Sequence, residues 1–245
     1  HGYSRLTDGN PDSYWKSNPY LASKYTGESD SAHPQWIVID LGSTEPVSHI
    51  RIDWLDPYAV NFEVQYWVAE KPSSSEGPMD RPTSGIWTAF PNGTVTNGKG
   101  GAPTLQLSST PVPVRYLRIW MTQSSNTADR RPTATHDPKD PRSAVGYAIR
   151  ELYVGTLTDG GELVDLIQHR ADQNQTATLC SSIDPWHSES DIDTHGDQTG
   201  LDLFFTSGIT NNLPAMIPVS MLYGTPEDAA AQMAYLKKRG YPISY

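Results

Sequence analysis

The chain has 245 residues, which is enough for two domains that each bury a core. It contains 13 Tyr and 7 Trp against 4 Phe, and its 20 Pro and 19 Gly indicate many turns and few long helices. A formal charge of -10 disfavours nucleic acid and anionic membrane surfaces as partners, because both attract clusters of Lys and Arg. We therefore expect mainly β structure and an uncharged ligand.

The single cysteine, Cys180, excludes an internal disulfide, so stability must come from packing or from a bound metal. No run of about 18 apolar residues is present, which predicts that no segment inserts into a membrane. The first ten residues lack the pattern of a signal peptide. Because the chain begins without an initiator Met, we expect it to be a piece of a longer protein.

Short runs with period-two alternation fill the first 155 residues, and loops rich in Gly, Pro, Ser and Asn separate them. The predicted strands are QWIVIDLG (35–42), HIRIDWL (49–55), FEVQYWV (62–68), TLQL (104–107), RYLRIWM (115–121) and AIRELYVG (148–155). Because no helical pattern intervenes, we expect two packed antiparallel sheets. The segment predicts a β-sandwich.

The pattern changes at TLTDGG (156–161), which is typical of a linker, and a second domain is predicted over residues 158–245. Helices are predicted at 162–170, 200–209 and 225–240, alternating with strands at 176–182, 215–222 and 242–245. This alternation favours a parallel α/β fold.

Four motifs in chain order resemble the coagulation factor 5/8 type C (discoidin) family, and most closely its bacterial carbohydrate-binding modules of family 32. The motifs are LTDGNPDSYW (6–15), HPQWIVIDLG (33–42), RYLRIWM (115–121) and GYAIRELYVG (146–155). The resemblance implies a galactose-binding-like jelly roll over residues 1–157, glycan binding without cleavage, and a secreted or cell-surface location.

The turn TDGNPDSYW (7–15) can bring the Asp8 carboxylate, the Ser13 hydroxyl and backbone carbonyls onto one hard cation. An Asx turn without a metal is the alternative. The family resemblance implies structural calcium held by Asp8, Asn10, Ser13 and Glu151.

A sugar site needs an exposed aromatic face and planar polar side chains, and loops at one end of the sandwich can supply both. Ordinary surface roles are the alternative for each candidate, and Trp15, Trp36, Trp67 and Trp120 are expected to be core anchors. The candidate ligand contacts are Tyr58, Asn61, Tyr20, Tyr25, Asn126, Arg130 and His136.

Residues 158–245 resemble the front of a (β/α)8 glycoside hydrolase barrel, whose substrate loops follow the strands. Asp184, Trp186 and His187 are candidate substrate contacts in such a loop, and a polar, solvated loop without a binding role is the alternative. The resemblance places both catalytic carboxylates after Tyr245, so we expect the chain itself to be non-catalytic. The exposed sheet edge should then meet the rest of the barrel or a second copy of the chain.

A stand-alone lectin or adhesion protein that binds cell-surface glycans is the alternative to an enzyme-linked module. Phospholipid binding, which some relatives show, is a weaker third possibility, because it needs apolar loop spikes with basic neighbours.

Overall fold

The computed structural model of the protein describes residues 5–70, 77–78, 85–128, 141–172, 174–181, 201–208, 210–218 and 226–244. The strands are β1 (Trp15–Lys16), β2 (Gln35–Val47), β3 (His49–Trp54), β4 (Ala59–Ala69), β5 (Gly85–Val95), β6 (Thr104–Gln106), β7 (Val112–Ser124), β8 (Ala148–Leu157), β9 (Leu163–Asp165) and β10 (Ala177–Cys180). The helices are α1 (Ser23–Thr26), α2 (Leu201–Thr206) and α3 (Pro226–Arg239), with 3-10 turns at Pro19–Leu21, Asp30–Ala32 and Pro141–Ala144.

The strands form two sheets, which confirms the predicted β-sandwich. Sheet I has the order β1-β8-β3-β6 with β9 added on β8, and sheet II has the order β10-β2-β7-β4-β5. Every pairing described between these strands is antiparallel. The fold is therefore mainly β, as in galactose-binding-like domains.

The core lies between the two sheets and is made by alternate residues of their strands. Ile37 and Ile39 of β2 face Ile50 and Ile52 of β3 across the core, and all four are fully buried. Each such side chain contributes about 1.5–3 kcal/mol relative to full exposure. The period of two that predicted the strands thus also selects the residues that hold the sheets together.

The predicted helix at 162–170 is wrong. Leu163–Asp165 is instead strand β9, which pairs with β8, and the Asp165 carboxylate accepts hydrogen bonds from the backbone N–H groups of Val154 (2.9 Å) and Ile167 (3.1 Å). These contacts outweigh the helical spacing of the apolar residues, because local propensity is only a weak preference.

The strand predicted at 176–182 is present as β10, but it pairs antiparallel with β2. Residues up to Ser181 therefore complete the sandwich, beyond the boundary predicted after residue 157. The assignment of the later residues to a barrel stays a prediction.

The helices predicted at 200–209 and 225–240 are confirmed as α2 and α3. Ala215 and Ile243, on either side of α3, pair in a parallel bridge. Tyr235 and Leu236 are buried on the inner face of α3, and the Tyr235 ring contacts Tyr20 in the first loop of the sandwich. None of the described helices is long and apolar enough to cross a membrane.

The expectation that four tryptophans anchor the core is confirmed for Trp15 and Trp36, which are both buried. It is wrong for Trp67 and Trp120, which lie outside the core cluster and are only half-buried. Their strands carry the core residues at alternate positions, so these two rings point to the outer face of sheet II.

Candidate functional site

One end of the sandwich gathers the connections that follow β1, β3, β5 and β7, and we call it the loop end (described residues 17–34, 55–58, 96–103, 125–128 and 141–147). Backbone hydrogen bonds tie these loops together: Ser125 N–H donates to the Tyr58 carbonyl at 2.8 Å, and Gly98 N–H donates to the Val60 carbonyl at 2.8 Å. Asp30 joins the first loop to the end of β7 by accepting from Ser124 N–H at 3.0 Å. The structure thus places Tyr58, Tyr20, Tyr25 and Asn126 at the same end of the sandwich, and their role as ligand contacts stays a prediction.

Tyr58 is a half-buried aromatic residue in the β3–β4 loop, and its ring packs on the backbone of Gly100. Gly100 has φ +68°, and a Cβ at that position would lie 2.6 Å from Cδ1 of Tyr58. The Tyr58 N–H donates to Ser125 Oγ at 3.0 Å. The ring is thus held at the loop end from two neighbouring loops.

Asn126 lies beside this tyrosine loop and is exposed, with φ 54° in the left-handed region. Its backbone N–H donates to Ser124 Oγ at 3.1 Å, and the next residue, Thr127, donates its hydroxyl to Asp56 Oδ1 at 2.5 Å. Asp56 and Thr127 were not predicted as site residues. The sequence carried a signal for them, since polar residues flank both Tyr58 and Asn126.

Asn61 has a bracing role in the structure. Its Nδ2 donates to Gln123 Oε1 at 2.6 Å, and its Oδ1 accepts from Asn97 N–H at 3.2 Å, so the amide ties β4 to β7 and to the turn after β5. Both ends of the side chain are therefore engaged within the protein.

Tyr20 and Tyr25 are packed beneath helix α3. Their ring centroids lie 5.4 Å and 5.7 Å from that of Tyr235, and 5.2 Å from each other. Tyr235 in turn donates its hydroxyl to Asp202 Oδ1 at 2.6 Å. These two candidates therefore belong to an internal aromatic cluster. The candidates Arg130, His136, Asp184, Trp186 and His187 lie outside the described residues.

The predicted calcium turn folds back on itself and meets the last predicted strand of the sandwich. Ser13 Oγ donates to Asp8 Oδ2 at 2.6 Å, and the Asn10 carbonyl accepts from Ser13 N–H at 3.2 Å. Gly9 N–H donates to Oε1 of the buried Glu151 at 3.2 Å. The atoms of this turn that could coordinate a cation are carboxylate, hydroxyl and carbonyl oxygens, which are the ligands that calcium prefers. No group of three or more His, Cys, Asp or Glu suited to a metal occurs among the described residues.

His169 was not predicted at this turn, yet it contacts Glu151. Its Nδ1 lies 2.6 Å from Glu151 Oε1 and its Nε2 lies 2.6 Å from Asp165 Oδ2. Burial lowers the pKa of His169, but hydrogen bonds to Asp165 and Glu151 outweigh burial and raise it to about 9. A charged imidazole therefore accompanies the buried carboxylate and links β9 to β8.

The outer face of sheet II carries a cluster of one arginine and two tryptophans, which the sequence analysis did not identify as a candidate site. Arg118 lies between the rings of Trp87 and Trp120, with its guanidinium carbon 4.5 Å and 4.4 Å from the two centroids. The alternation in RYLRIWM contained the signal, because Leu117 and Ile119 face the core and the residues between them must face outward.

This arrangement of two antiparallel sheets with loops gathered at one end defines a galactose-binding-like β-sandwich. Residues 5–119 match the family model described as "NedA-like, galactose-binding domain", an F5/8 type C family. This part of the chain is therefore similar to F5/8 type C domains, in agreement with the resemblance of the motifs. No curated protein matches the chain.

Several solved structures are similar to the chain at low identity. Chitosan-binding module 1 of a chitosanase/glucanase from Paenibacillus sp. IK-5 is 22% identical over 63% of this chain and 86% of that one, with a TM-score of 0.39. Module 2 of the same enzyme, in complex with chitotriose, is 24% identical over 61% and 82%, with a TM-score of 0.39. The family 32 module of AlyQ, in complex with 4,5-unsaturated mannuronic acid, is 19% identical over 62% and 83%, with a TM-score of 0.35.

Proposed function

We propose that the chain binds a glycan at the loop end of the sandwich, in the manner of a carbohydrate-binding module, with the Tyr58 ring as its platform. The observation that carries the proposal is the fixed position of this ring on Gly100. An aromatic ring that is already ordered loses little entropy when a pyranose stacks on it, and this favours affinity. The family match, whose description names galactose binding, supports a sugar as the ligand class.

The polar groups around Tyr58 support the same proposal. Asn126 is exposed on the adjacent loop, and Asp56 and Thr127 form a hydrogen-bonded pair beside it. Amide and carboxylate groups are planar and match pairs of sugar hydroxyls. The mixture of one aromatic face and a few fixed polar groups is typical of small-ligand sites.

Structural calcium is part of the proposal. Asp8, Asn10, Ser13 and Glu151 would hold the ion, which would tie the opening turn to strand β8. Its role there would be to stabilise the fold, because these residues belong to the opening turn and to β8 and not to the loop end.

We further propose that the module belongs to a secreted or cell-surface glycoside hydrolase, whose barrel begins in the last part of this chain. The parallel bridge between Ala215 and Ile243, with helix α3 between the two residues, has the connectivity of a βαβ unit and supports this proposal. In this proposal the 245-residue chain itself does not hydrolyse glycans. A lectin or adhesion protein with the same sandwich is the second candidate.

A glycan array probed with the full chain tests the binding proposal. The array should show retention of at least one class of immobilised glycan, and the variant Tyr58→Ala should lose that retention while its circular dichroism spectrum stays unchanged. Retention of no glycan by the folded wild-type chain would refute the proposal. Equal retention by Tyr58→Ala would refute the placement of the ligand.

A further inference from the structure

The outer face of sheet II carries an aromatic surface that the loop-end site does not use. We call it the Arg118 face and define it by Trp67, Trp87, Arg118 and Trp120 together with Gln65 and Glu63. The pairings Trp67↔Trp87, Gln65↔Arg118 and Glu63↔Trp120 place these residues side by side on three neighbouring strands. Their three tryptophan rings are half-buried and lie outside the core. Clustered surface aromatics of this kind mark binding sites.

The Arg118 guanidinium is held in one orientation. It lies between the Trp87 and Trp120 rings, and its Nε donates to Gln65 Oε1 at 2.7 Å while Nη2 donates to the same oxygen. Gln65 is fixed in turn, because its Nε2 donates to Glu63 Oε2. The side chain therefore presents its remaining donors in a fixed plane.

Two other arginines of the sandwich, Arg51 and Arg115, lie over tyrosine rings, and their polar partners differ from those of Arg118. Arg51 is bonded to Asp53 at 3.2 Å, and Arg115 is bonded to Asp40 at 2.8 Å. Arg118 has no direct carboxylate partner among the described residues, and its Nη1 has no hydrogen-bond partner among them either. Burial lowers the pKa of Arg118 to about 10, against a smaller opposite effect of Glu63, so the group is still charged at neutral pH.

From this geometry we infer that the Arg118 face is a second glycan site, selective for sugars that carry a carboxylate, such as uronates. The guanidinium edge that carries Nη1 has no partner within the described part of the chain, and it matches a carboxylate in two parallel hydrogen bonds. The flanking tryptophan rings offer apolar surface to the C–H side of the same pyranose. The overall negative charge of the chain does not oppose this, because the local partner is a partly desolvated cation.

The inference rests on the proposed glycan-binding function in one respect only, namely that the ligand is a sugar. Its residues lie on a strand face, whereas Tyr58 and Asn126 lie at the loop end. The two sites can therefore fail independently, and a variant at one site serves as the control for the other.

Titration of the full chain with trigalacturonate, followed by the indole N–H signals in NMR spectra, tests the inference. We expect the signals of Trp87 and Trp120 to shift in a saturable manner, and added salt to weaken the interaction. The fully methyl-esterified trisaccharide should bind at least about tenfold more weakly, because it lacks the charge-assisted hydrogen bonds. Equal affinity for the acid and its ester, or no saturable shift of these indoles, would overturn the inference.

Three variants complete the test. Arg118→Lys keeps the charge but removes the planar fork, and it should weaken trigalacturonate binding at least about tenfold. Gln65→Glu should also weaken binding in a stably folded chain, because the new carboxylate would neutralise the charge of Arg118 from the edge that Gln65 now contacts. Arg51→Lys, the matched change on the opposite sheet, should leave the affinity unchanged, and so should Tyr58→Ala. Wild-type affinity in both Arg118→Lys and Gln65→Glu would show that the stack only braces the sheet.

Discussion

The Tyr58 ring rests on the backbone of Gly100, where a side chain of any kind would come within 2.6 Å of the ring. This contact joins the loop after β3 to the loop after β5, so the position of the proposed sugar platform depends on Gly100. Gly101 provides a natural comparison. It also has a positive φ, of +72°, but a Cβ there would meet no atom within 4 Å.

Replacing Gly100 by alanine should weaken glycan binding, because the new methyl group displaces the Tyr58 ring. The substitution should also lower the free energy of unfolding by about 1–2 kcal/mol through strain in the left-handed region. Gly101→Ala should show a similar loss of stability with unchanged glycan affinity. Urea denaturation and calorimetric titration of both variants measure the two effects, and equal affinities in the two variants would contradict the role of the contact.

Calcium should raise the melting temperature of the sandwich, because an ion that binds only the folded turn stabilises it by mass action. At a calcium concentration about a hundredfold above the dissociation constant the gain would be about 2.7 kcal/mol. The variant Glu151→Gln should reduce this response, while Glu162→Gln, a change at an exposed acidic residue, should leave it intact. Identical melting curves in calcium and in chelator would rule out the ion.

Helix α3 should depend on Tyr235 for its contact with the sandwich. Tyr235→Ala removes the ring that meets Tyr20 and Tyr25 and should lower stability by about 3–5 kcal/mol, the usual cost of deleting a buried aromatic ring. Tyr235→Phe keeps the ring and loses only the hydrogen bond to Asp202, at a cost of about 1 kcal/mol. Hydrogen exchange at the backbone of Leu236 reports the docking. Equal exchange in wild type and Tyr235→Ala would contradict it.

Acid should loosen the same contact. Burial raises the pKa of Asp202, but hydrogen bonds from Tyr235 and Tyr241 and the charge of Arg239 outweigh burial and hold the pKa below its ordinary value of 3.8. The ionised carboxylate therefore stabilises the fold fully above that ordinary value, and this contribution is lost as the pH falls through the lowered pKa. Asp202→Asn should be less stable at neutral pH and should show less acid dependence below about pH 4. A parallel pH profile for the variant would contradict this linkage.

The sequence predicted the sandwich well because its strands are regular. In β7 the alternation of Leu117 and Ile119 with outward residues reproduces the burial seen in the structure. The same regularity could have shown that Trp120 faces outward, since it falls on the opposite parity from these core residues. The expectation of a core anchor followed from the usual burial of tryptophan and did not use the strand register.

The structure of residues 162–170 and the partner of strand β10 could not be predicted, because both depend on residues that are distant in the sequence. Leu163–Asp165 has helical spacing, yet it pairs with β8, and His169 bonds to Glu151 from a position 18 residues away in the sequence. For the candidate site, sequence reasoning placed Tyr58 and Asn126 at one end but could not show that Tyr235 covers Tyr20 and Tyr25. Tyr235 belongs to α3, which begins more than 200 residues after Tyr20 and Tyr25 in the sequence.

Calorimetric titration of the chain with its best array ligand, compared among wild type, Tyr58→Phe and Tyr58→Ala, tests the central proposal most directly. Tyr58→Phe keeps the flat ring and should retain most of the affinity. Tyr58→Ala should lose about 1–3 kcal/mol of binding free energy, as expected for an aromatic anchor, while its circular dichroism spectrum shows that the fold is retained. Wild-type affinity in Tyr58→Ala would contradict the account and would move the glycan away from this loop.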